Sequence, residues 1–490
     1  MDQLIDEILN EYEKIWSIQQ AQGLMGWDLE TYMPEKAVNR RGDASAQLSL
    51  MEQSIYISIR DKVEKAEEAK DLTDLEKGII RVLKRRIHYF MSIPPDLVAR
   101  LDKVAATGTV AWRKARNESD FSEFEPYLEQ MVEINREIAD KLGYNGNPYN
   151  ALLDLYEEGL TTDDTDRIFS SLLPASKDIL EKIIAEGYFS SSHPLEKKKY
   201  NVESMRKVNE EITNLILMPK GRFRMDVSAH PFTIGLSSND VRITTRYEGI
   251  NFKASLYSTI HESGHAIYEL QIPEDISKTP VGGGVSSGIH ESQSRFWENF
   301  IGRSKSFTEI ISPILKRHLK FLENYNVDDL YRYFNRVSPT MIRVDADEVT
   351  YNFHIALRYE MEKQMISGKI EIKEAPEIWN DLMERYIGIR PRNHAEGILQ
   401  DIHWSQGSFG YFPTYSLGNV VAGMFWKSED FENKVEKKDF TVIKEKLYDK
   451  LHKYGSIYKP KDLLAKTFGD TYNPHYLIEY LRDKYITRSR

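Results

Sequence analysis

The chain has 490 residues, 41% of them hydrophobic and 29% charged, a composition typical of a globular protein that buries a sizeable core. No stretch approaches the roughly 18 uninterrupted apolar residues that a membrane-spanning helix needs, and residues 1–10 are acidic and amphipathic, unlike a secretory signal. The net charge of −10 argues against nucleic acid as a partner, and the lack of cysteine excludes disulfides and Cys-type zinc sites. We therefore expect a cytoplasmic protein without a membrane or nucleic-acid partner.

Helical periodicity dominates the chain from its start. Apolar residues recur at helical spacing in residues 4–16, and again in residues 128–142, where Gly143 stops the pattern. A stretch that opens with Thr162 and two aspartates is typical of a capped helix with acidic residues in its first turn. Similar stripes continue to a helix near residues 475–484, so the pattern predicts a mostly helical protein.

One segment, residues 225–251, departs from this helical pattern. Hydrophobic residues alternate with others on both sides of Ser237-Ser238-Asn239-Asp240, which is typical of a short β-hairpin. The metal-binding motif described next lies just downstream of this segment. We therefore predict a small β-sheet beside the functional site.

The most informative motif in the chain is His261-Glu262-Ser263-Gly264-His265. Two histidines four residues apart lie on one face of a helix, so both imidazoles can bind one metal ion. Glu262 projects beside that metal, where it can take a proton from a bound water. The alternative is a pair of core histidines, but the glutamate in the base position and a second His-Glu pair, His290-Glu291, favour a catalytic metal.

A hydrolytic zinc site needs a third protein ligand and one open position for water. Glu291 is the best candidate, because a carboxylate on a second helix that crosses the first gives the His₂Glu pattern. Taken alone, Glu291 has an equally good alternative as an exposed helix glutamate. Three ligands with a net charge of −1 leave the metal Lewis-acidic, so that it activates its bound water.

Several motifs of the chain, taken together, resemble the Taq-type metallocarboxypeptidases, peptidase family M32. They are, in chain order, Trp27-Asp-Leu-Glu-Thr-Tyr-Met-Pro34, Asp240-Val-Arg-Ile-Thr244, His261-Glu-Ser-Gly-His265, His290-Glu-Ser-Gln-Ser-Arg295, Ile342-Arg-Val-Asp-Ala-Asp347, Gly397-Ile-Leu-Gln-Asp-Ile-His-Trp404 and Asn473-Pro-His-Tyr-Leu-Ile-Glu-Tyr-Leu481. Each motif is weak by itself, but the ordered set is highly specific and spans nearly the whole chain. The chain does not depart from the family's pattern at any metal-ligand or general-base position.

This resemblance implies the removal of single residues from peptide carboxyl termini, with a broad specificity that generally spares proline. It implies a mostly α-helical, saddle-like metallopeptidase with a deep groove, usually a homodimer, and one divalent metal ion per chain, zinc with cobalt able to substitute. The family's ligand and base positions carry over as His261, His265, Glu291 and Glu262. We expect one catalytic domain over residues 1–490, with helices in about residues 1–90 as a roof over the groove.

An exopeptidase needs a cation that holds the terminal carboxylate of its substrate, and arginine binds carboxylates bidentately. Arg343 is the first candidate; its alternative is a structural ion pair with Asp345, Asp347 or Glu348. Arg242 is the second candidate. Its segment resembles an edge strand, which would instead bind the peptide backbone by strand addition.

The tetrahedral intermediate needs a hydrogen-bond donor opposite the metal. His403 is one candidate, and Tyr411 and Tyr415 in the following glycine-rich segment are the others. Because the chain has 28 tyrosines, each of the two has a structural alternative. Asp401 is a candidate for orienting His403 or for supporting another residue of the site without touching the substrate.

The sequence therefore predicts a zinc-type metallocarboxypeptidase that acts on peptides with a free carboxyl terminus. The main alternative is an oligoendopeptidase or dipeptidyl carboxypeptidase on a similar helical scaffold. A catalytically silent peptide-binding protein is disfavoured because it has no need of the base Glu262. A structural zinc protein is disfavoured because a closed site needs a fourth ligand and no cysteine is available.

Overall fold

The computed structural model describes residues 3–487, and these residues are mostly helical. None of the helices in this range is long and apolar enough to span a bilayer. The helices before the sheet are α1 Gln3–Thr31, α2 Val38–Ser58, α3 Arg60–Glu67, α4 Asp74–Ser92, α5 Pro95–Glu118, α6 Glu125–Leu142, α7 Tyr149–Tyr156, α8 Thr162–Glu186 and α9 Val202–Leu215. Those after it are α10 Phe252–Leu270, α11 Glu274–Ser277, α12 Ser287–Arg295, α13 Lys305–His318, α14 Val327–Phe334, α15 Tyr351–Ile366, α16 Ala375–Ile387, α17 Pro413–Ser428, α18 Phe431–Glu436, α19 Phe440–Lys450, α20 Pro460–Phe468 and α21 His475–Arg482.

The helices predicted from apolar periodicity are confirmed. Helix α1 buries Ile5, Ile8, Tyr12 and Ile15 along one face, and α6 ends at Gly143, which adopts φ 79° as its C-cap. Helix α8 begins with a capping box, in which the Thr161 hydroxyl accepts the backbone N–H of Asp164 and the Asp164 carboxylate accepts that of Thr161. Local sequence signals therefore fix where these helices begin and end.

Three strands form the sheet: β1 Phe223–Val227, β2 Thr233–Ser237 and β3 Asp240–Thr245. Strands β2 and β3 pair antiparallel, which confirms the predicted hairpin, and β1 pairs parallel with the other side of β3. Strand β3, which carries Arg242, is therefore the central strand, and its interpretation as an edge strand is wrong. The alternation within a hairpin reveals local pairing, but it carries no signal for a parallel partner from an earlier segment.

The described chain divides into two compact units, each built from non-contiguous segments. The first unit comprises the residues up to 91 with 193–334 and 425–471, and it contains the sheet, α10 and α12. The second comprises 92–192 and 335–424 with the residues from 472 on, and it contains α6, α8 and α15. The predicted single catalytic domain over 1–490 and the roof formed by residues 1–90 stay predictions.

Candidate metal centre and active site

Helices α10 and α12 bring the three predicted metal ligands together in the first unit. His261 and His265 lie one turn apart on α10, and their Nε2 atoms are 3.6 Å and 3.3 Å from the Oε2 atom of Glu291 on α12. One ligand atom from each residue lies within 4.8 Å of the others. Two imidazole nitrogens and one carboxylate oxygen form a donor set that suits zinc and leaves a coordination position open.

Gly264 allows α10 and α12 to approach closely enough for this arrangement. A Cβ atom at this position would lie 2.6 Å from the carbonyl oxygen of Gln293 and 2.7 Å from the Cα of Ser294. Any side chain would therefore force the two helices apart. Because one helix carries the histidines and the other carries Glu291, the glycine in the motif sets the spacing of the ligands.

Glu298, which the sequence reasoning missed, fixes the orientation of His261. It lies in the π-helical stretch Phe296–Gly302 that continues α12, with Oε2 2.9 Å from Nδ1 of the imidazole. Burial opposes ionisation, but Arg295, His261 and Arg303 outweigh it and hold the pKa of Glu298 well below its usual range. The ionised carboxylate accepts the Nδ1 proton, which leaves the Nε2 lone pair for a metal.

Glu291 is held as an anion by its surroundings. Its side chain is buried, and Arg295 donates from Nε to its Oε1 at 2.7 Å. Burial raises the pKa of Glu291, but Arg295 and the two histidines outweigh this and hold it well below the usual range. Burial also lowers the pKa of His265 to about 3, so its ring is neutral. Glu291 and His265 therefore have the protonation states that a metal requires. Burial lowers the pKa of His261 as well, but Glu291 and Glu298 outweigh this and raise it above the ordinary value, so a metal must displace a proton from this ring.

The candidate base Glu262 is buried on α10, between the two histidines. Thr233, at the start of β2, donates its hydroxyl to the Oε2 of Glu262 at 2.7 Å. Burial raises the pKa of Glu262 above its ordinary value. A carboxylate with a raised pKa is a stronger proton acceptor than an exposed one, as general-base work requires.

Arg242 lies on β3, in the same unit as the metal ligands. Its Nε and Nη2 atoms donate to the two oxygens of Asp240 at 2.8 Å and 2.7 Å, and its guanidinium lies 5.7 Å from the ring centroid of Trp27. Within the residues that the structure describes, the Nη1 atom makes no hydrogen bond to the chain. The ion pair therefore fixes one edge of the guanidinium and leaves another for a ligand.

Arg343 lies in the second unit and is only 7% exposed. Its Nε and Nη2 atoms donate to Asp401 at 2.9 Å and 2.8 Å, and its Nη1 atom donates to the Tyr351 hydroxyl at 3.0 Å. Arg343 thus forms an ion pair, but its partner is Asp401 and none of the three neighbouring acids named from the sequence. One of these, Asp347, instead accepts backbone N–H groups at the start of α15.

His403, Tyr411 and Tyr415 lie together in the second unit. The His403 ring stacks on Tyr411 with centroids 5.8 Å apart, and its Nε2 atom lies 3.4 Å from the Tyr415 hydroxyl. Burial lowers the pKa of His403 to about 4, so the imidazole is neutral near pH 7 and keeps one N–H donor. The three oxyanion candidates therefore form one cluster of donors, and their catalytic role stays a prediction.

Asp401 does not orient His403, which was the first of the two roles expected for it. Its oxygens accept hydrogen bonds from Arg343 and from Nε of Arg358 at 2.7 Å. Over the described part of the chain, the Nδ1 atom of His403 has no hydrogen-bond partner. The expectation was wrong because Arg358, a fully buried residue of α15, competes for the carboxylate, and its approach is a long-range contact that the motif does not show.

Glu362 on α15 holds the segment that carries this donor cluster. Its fully buried carboxylate accepts the indole N–H of Trp404 at 2.7 Å, the backbone N–H of Gly410 at 2.9 Å and the hydroxyl of Tyr149 at 2.6 Å. Burial raises the pKa of Glu362 to about 7. At Gly410, φ is 92° and a Cβ would lie 2.4 Å from the carbonyl oxygen of Leu152, so the turn requires glycine.

We expect Glu362→Gln to lower the free energy of unfolding by about 1–3 kcal/mol, because an amide cannot accept all three hydrogen bonds. The variant will also have a flatter pH dependence. Between pH 4.5 and about 7 the folded carboxyl keeps a proton that the unfolded chain has lost. The stability from this group is therefore complete below pH 4.5 and lost as the pH rises through about 7.

Urea denaturation between pH 4 and pH 8 measures both effects. Glu377→Gln is the matched control, because that side chain is 69% exposed. The control should change the free energy of unfolding by less than about 0.5 kcal/mol at any pH. A Glu362→Gln variant with the same pH slope as the unsubstituted protein would contradict the expectation.

Comparison with known proteins gives concordant matches. Residues 7–485 match the family model described as Carboxypeptidase Taq (M32) metallopeptidase. The chain is 48% identical over 493 residues to Thermostable carboxypeptidase 1 of Pyrococcus furiosus, with 99% of each chain covered. It is 36% identical over 500 residues to Carboxypeptidase 1 of Bacillus subtilis, with 98% of this chain and 97% of that one covered. The solved structure of Pyrococcus furiosus Carboxypeptidase Apo-Mg matches with a TM-score of 0.98 and 47% identity over 99% of both chains.

Proposed function

The chain belongs to the carboxypeptidase Taq (M32) metallopeptidase family and is a metallocarboxypeptidase, and from this premise we propose how its residues perform the reaction. Its substrates are peptides, from which it removes single residues at a free carboxyl terminus with broad specificity. The family membership favours this activity over that of an oligoendopeptidase or a dipeptidyl carboxypeptidase. The single observation that carries the proposed mechanism is the convergence of His261, His265 and Glu291 beside the buried Glu262.

We propose that the divalent metal is zinc, one ion per chain, with cobalt able to substitute. His261 and His265 would hold it through their Nε2 atoms and Glu291 through Oε2. When bound there, the metal supplies Lewis-acid activation of a water molecule and of the scissile carbonyl. Support comes from the donor set and from the surroundings that hold Glu291 ionised and His265 neutral.

Glu262 takes a proton from the attacking water and later passes it to the leaving amine. Two features of the chain suit it to this work. Its burial raises the pKa, which strengthens it as a base. The Thr233 hydroxyl, which donates to Oε2, fixes one oxygen of the carboxylate and so holds the orientation of the other. Thr233 is therefore a positioning residue for Glu262.

Two arginines are the proposed candidates for binding the terminal carboxylate of the substrate, Arg343 as the first choice and Arg242 as the second. Asp240 holds Arg242 by one edge and leaves its Nη1 atom for a ligand. Arg343 is held rigidly by Asp401 and Tyr351, which lowers the entropy lost on binding. His403, Tyr411 and Tyr415 are the proposed donors to the oxyanion, because the neutral imidazole and both phenols carry a proton near pH 7.

We also propose that the enzyme works in the cytoplasm and that it is a homodimer, the assembly that the resemblance to the family implies. Light scattering coupled to size-exclusion chromatography tests the assembly, since the chain has a mass of 57.1 kDa. A dimer should elute with about twice this mass at micromolar concentration. A particle of the single-chain mass would contradict the homodimer.

We expect an amino-terminally blocked peptide with a free carboxyl terminus to yield a ladder that loses one residue at a time. Mass spectrometry reads the products. Removal of the metal with a chelator should abolish the ladder, because no other group described in the site supplies Lewis-acid activation of the water, and added zinc or cobalt should restore it. The same peptide with a carboxy-terminal amide is the control and should resist cleavage. Internal cuts or losses of two residues would contradict the proposed exopeptidase.

A further inference from the structure

The two metal-ligating histidines have different partners on their second ring nitrogen. The Nδ1 atom of His261 faces the carboxylate of Glu298 directly. The Nδ1 atom of His265 faces another imidazole, with its nitrogen 2.6 Å from Nδ1 of His290. The far side of that imidazole faces a carboxylate, since Nε2 of His290 lies 2.7 Å from Oε1 of Glu269. The Nδ1 side of His265 is therefore connected to the Glu269 carboxylate through an intervening imidazole.

The order of protons along this chain of contacts follows from the donors and acceptors. A carboxylate only accepts, so Glu269 takes the N–H from Nε2 of His290. In the tautomer with its proton on Nε2, His290 presents an unprotonated Nδ1 atom, which accepts the N–H from Nδ1 of His265. His265 is left with its lone pair on Nε2, the atom that lies 3.3 Å from Glu291. This is the tautomer that metal binding requires.

We infer that His290 and Glu269 are positioning residues that act in series to fix the tautomer and orientation of His265 for the metal. The inference rests on the proposed metal site. Because the two residues act in series, removing one should make the other irrelevant to metal affinity. The two halves of the site are then held differently: His261 by one carboxylate, and His265 by an imidazole and a carboxylate.

Two glycines make room for this pair, which indicates that the surroundings are built around it. A Cβ at Gly284 would lie 2.6 Å from Cδ2 of His290, and a Cβ at Gly235 would lie 2.7 Å from Oε2 of Glu269. Neither glycine has a positive φ, so neither is needed for its backbone conformation. Tyr268 packs on the His290 ring with centroids 5.3 Å apart, which fixes the plane of the imidazole.

The inference is tested by titrating the metal-free protein with Co²⁺ against a competing chelator, with the visible d–d absorption as the signal. His290→Phe keeps a flat ring but removes both nitrogens, and it should weaken Co²⁺ affinity about 10- to 100-fold. Glu269→Gln should weaken it less, because the amide oxygen still accepts a hydrogen bond. The double variant should bind no more weakly than His290→Phe, since the two residues act in series.

Gly284→Ala is a second, independent variant, because it displaces the His290 ring without removing a polar atom. It should weaken Co²⁺ binding in the same direction, and it keeps the inference testable if His290→Phe fails to fold. His193→Phe is the matched control: this histidine is also buried in the first unit, where it packs on Tyr325 and Tyr333, and its loss should leave the affinity unchanged.

Three outcomes overturn the inference: wild-type Co²⁺ affinity in folded His290→Phe or Gly284→Ala, additive losses in the double variant, or an equal loss in His193→Phe. The melting temperatures of the variants separate two roles. Loss of a structural residue lowers the melting temperature of the metal-free protein, whereas loss of a positioning residue mainly reduces the rise in melting temperature when metal is added. Failure of the proposed function looks different, because the unsubstituted protein itself would then bind no Co²⁺ or produce no peptide ladder.

Discussion

Glu262→Gln is expected to lower kcat by about 10²- to 10⁴-fold, the range that a positioned general base contributes. The amide has nearly the same shape and can still accept the hydrogen bond from Thr233, so the site should keep its geometry. It cannot take a proton from water at neutral pH. Because Glu262 is not among the three proposed ligands, metal content measured by mass spectrometry should stay at one ion per chain.

The measurement is steady-state hydrolysis of a blocked peptide, with kcat and KM determined separately. KM should change little, because Glu262 is proposed to contact the attacking water and not the substrate's terminal carboxylate. Glu248→Gln, which neutralises a side chain that is 45% exposed in the same unit, is the matched control and should leave both constants unchanged. A loss of less than tenfold with full metal content would show that another group accepts the proton.

The parts of the site that the sequence predicted are those carried by local patterns. His261 and His265 lie on one helical face because four residues make about one turn, and this holds whatever surrounds the helix. The helices α6 and α8 were predicted for the same reason, since their caps lie within a few residues of their ends. Spacing alone did not identify Glu291 as a ligand candidate. Its position beside the histidines also depends on the close approach of α10 and α12, which Gly264 allows.

What the sequence did not predict depends on contacts between distant segments. Thr233 reaches Glu262 because β2 packs against α10. A threonine in a strand gives no indication in the sequence of which helix it will contact. Glu298 reaches His261 from a π-helical stretch, whose register differs from the α-helical spacing used to read motifs. A charged residue amid Phe296, Trp297 and Phe300 was the available signal, because an acid in such an apolar run needs a buried partner.

The partner of Arg343 is also a residue from a distant segment of the chain, so the local motif does not reveal it. The motif around Arg343 shows only the acids within a few residues, whereas the structure pairs this arginine with Asp401. Arg358 binds the other oxygen of the same carboxylate, with Nη2 2.5 Å and Nε 2.7 Å away. One carboxylate thus compensates two guanidinium groups, one 7% exposed and the other fully buried.

Asp401→Asn is therefore expected to lower the free energy of unfolding by about 3–5 kcal/mol, since removing one partner leaves buried charge uncompensated. The two arginines and His403 already hold the pKa of Asp401 well below its usual range, despite its burial, so the carboxylate is charged at every pH at which the enzyme is assayed. Urea denaturation of the metal-free protein, followed by circular dichroism, measures the loss.

Asp381→Asn is the matched control, because it removes the same charge from an ion pair with Arg390 at 2.8 Å whose aspartate is 65% exposed. That substitution should cost less than about 1 kcal/mol, since Arg390 is 39% exposed to water and keeps its ion pairs with Glu377 and Glu384. Equal losses in the two variants would show that Arg343 and Arg358 find other compensation once Asp401 is neutral. A large loss at Asp401 alone would establish that the rigidity proposed for Arg343 depends on a buried charge from a distant part of the sequence.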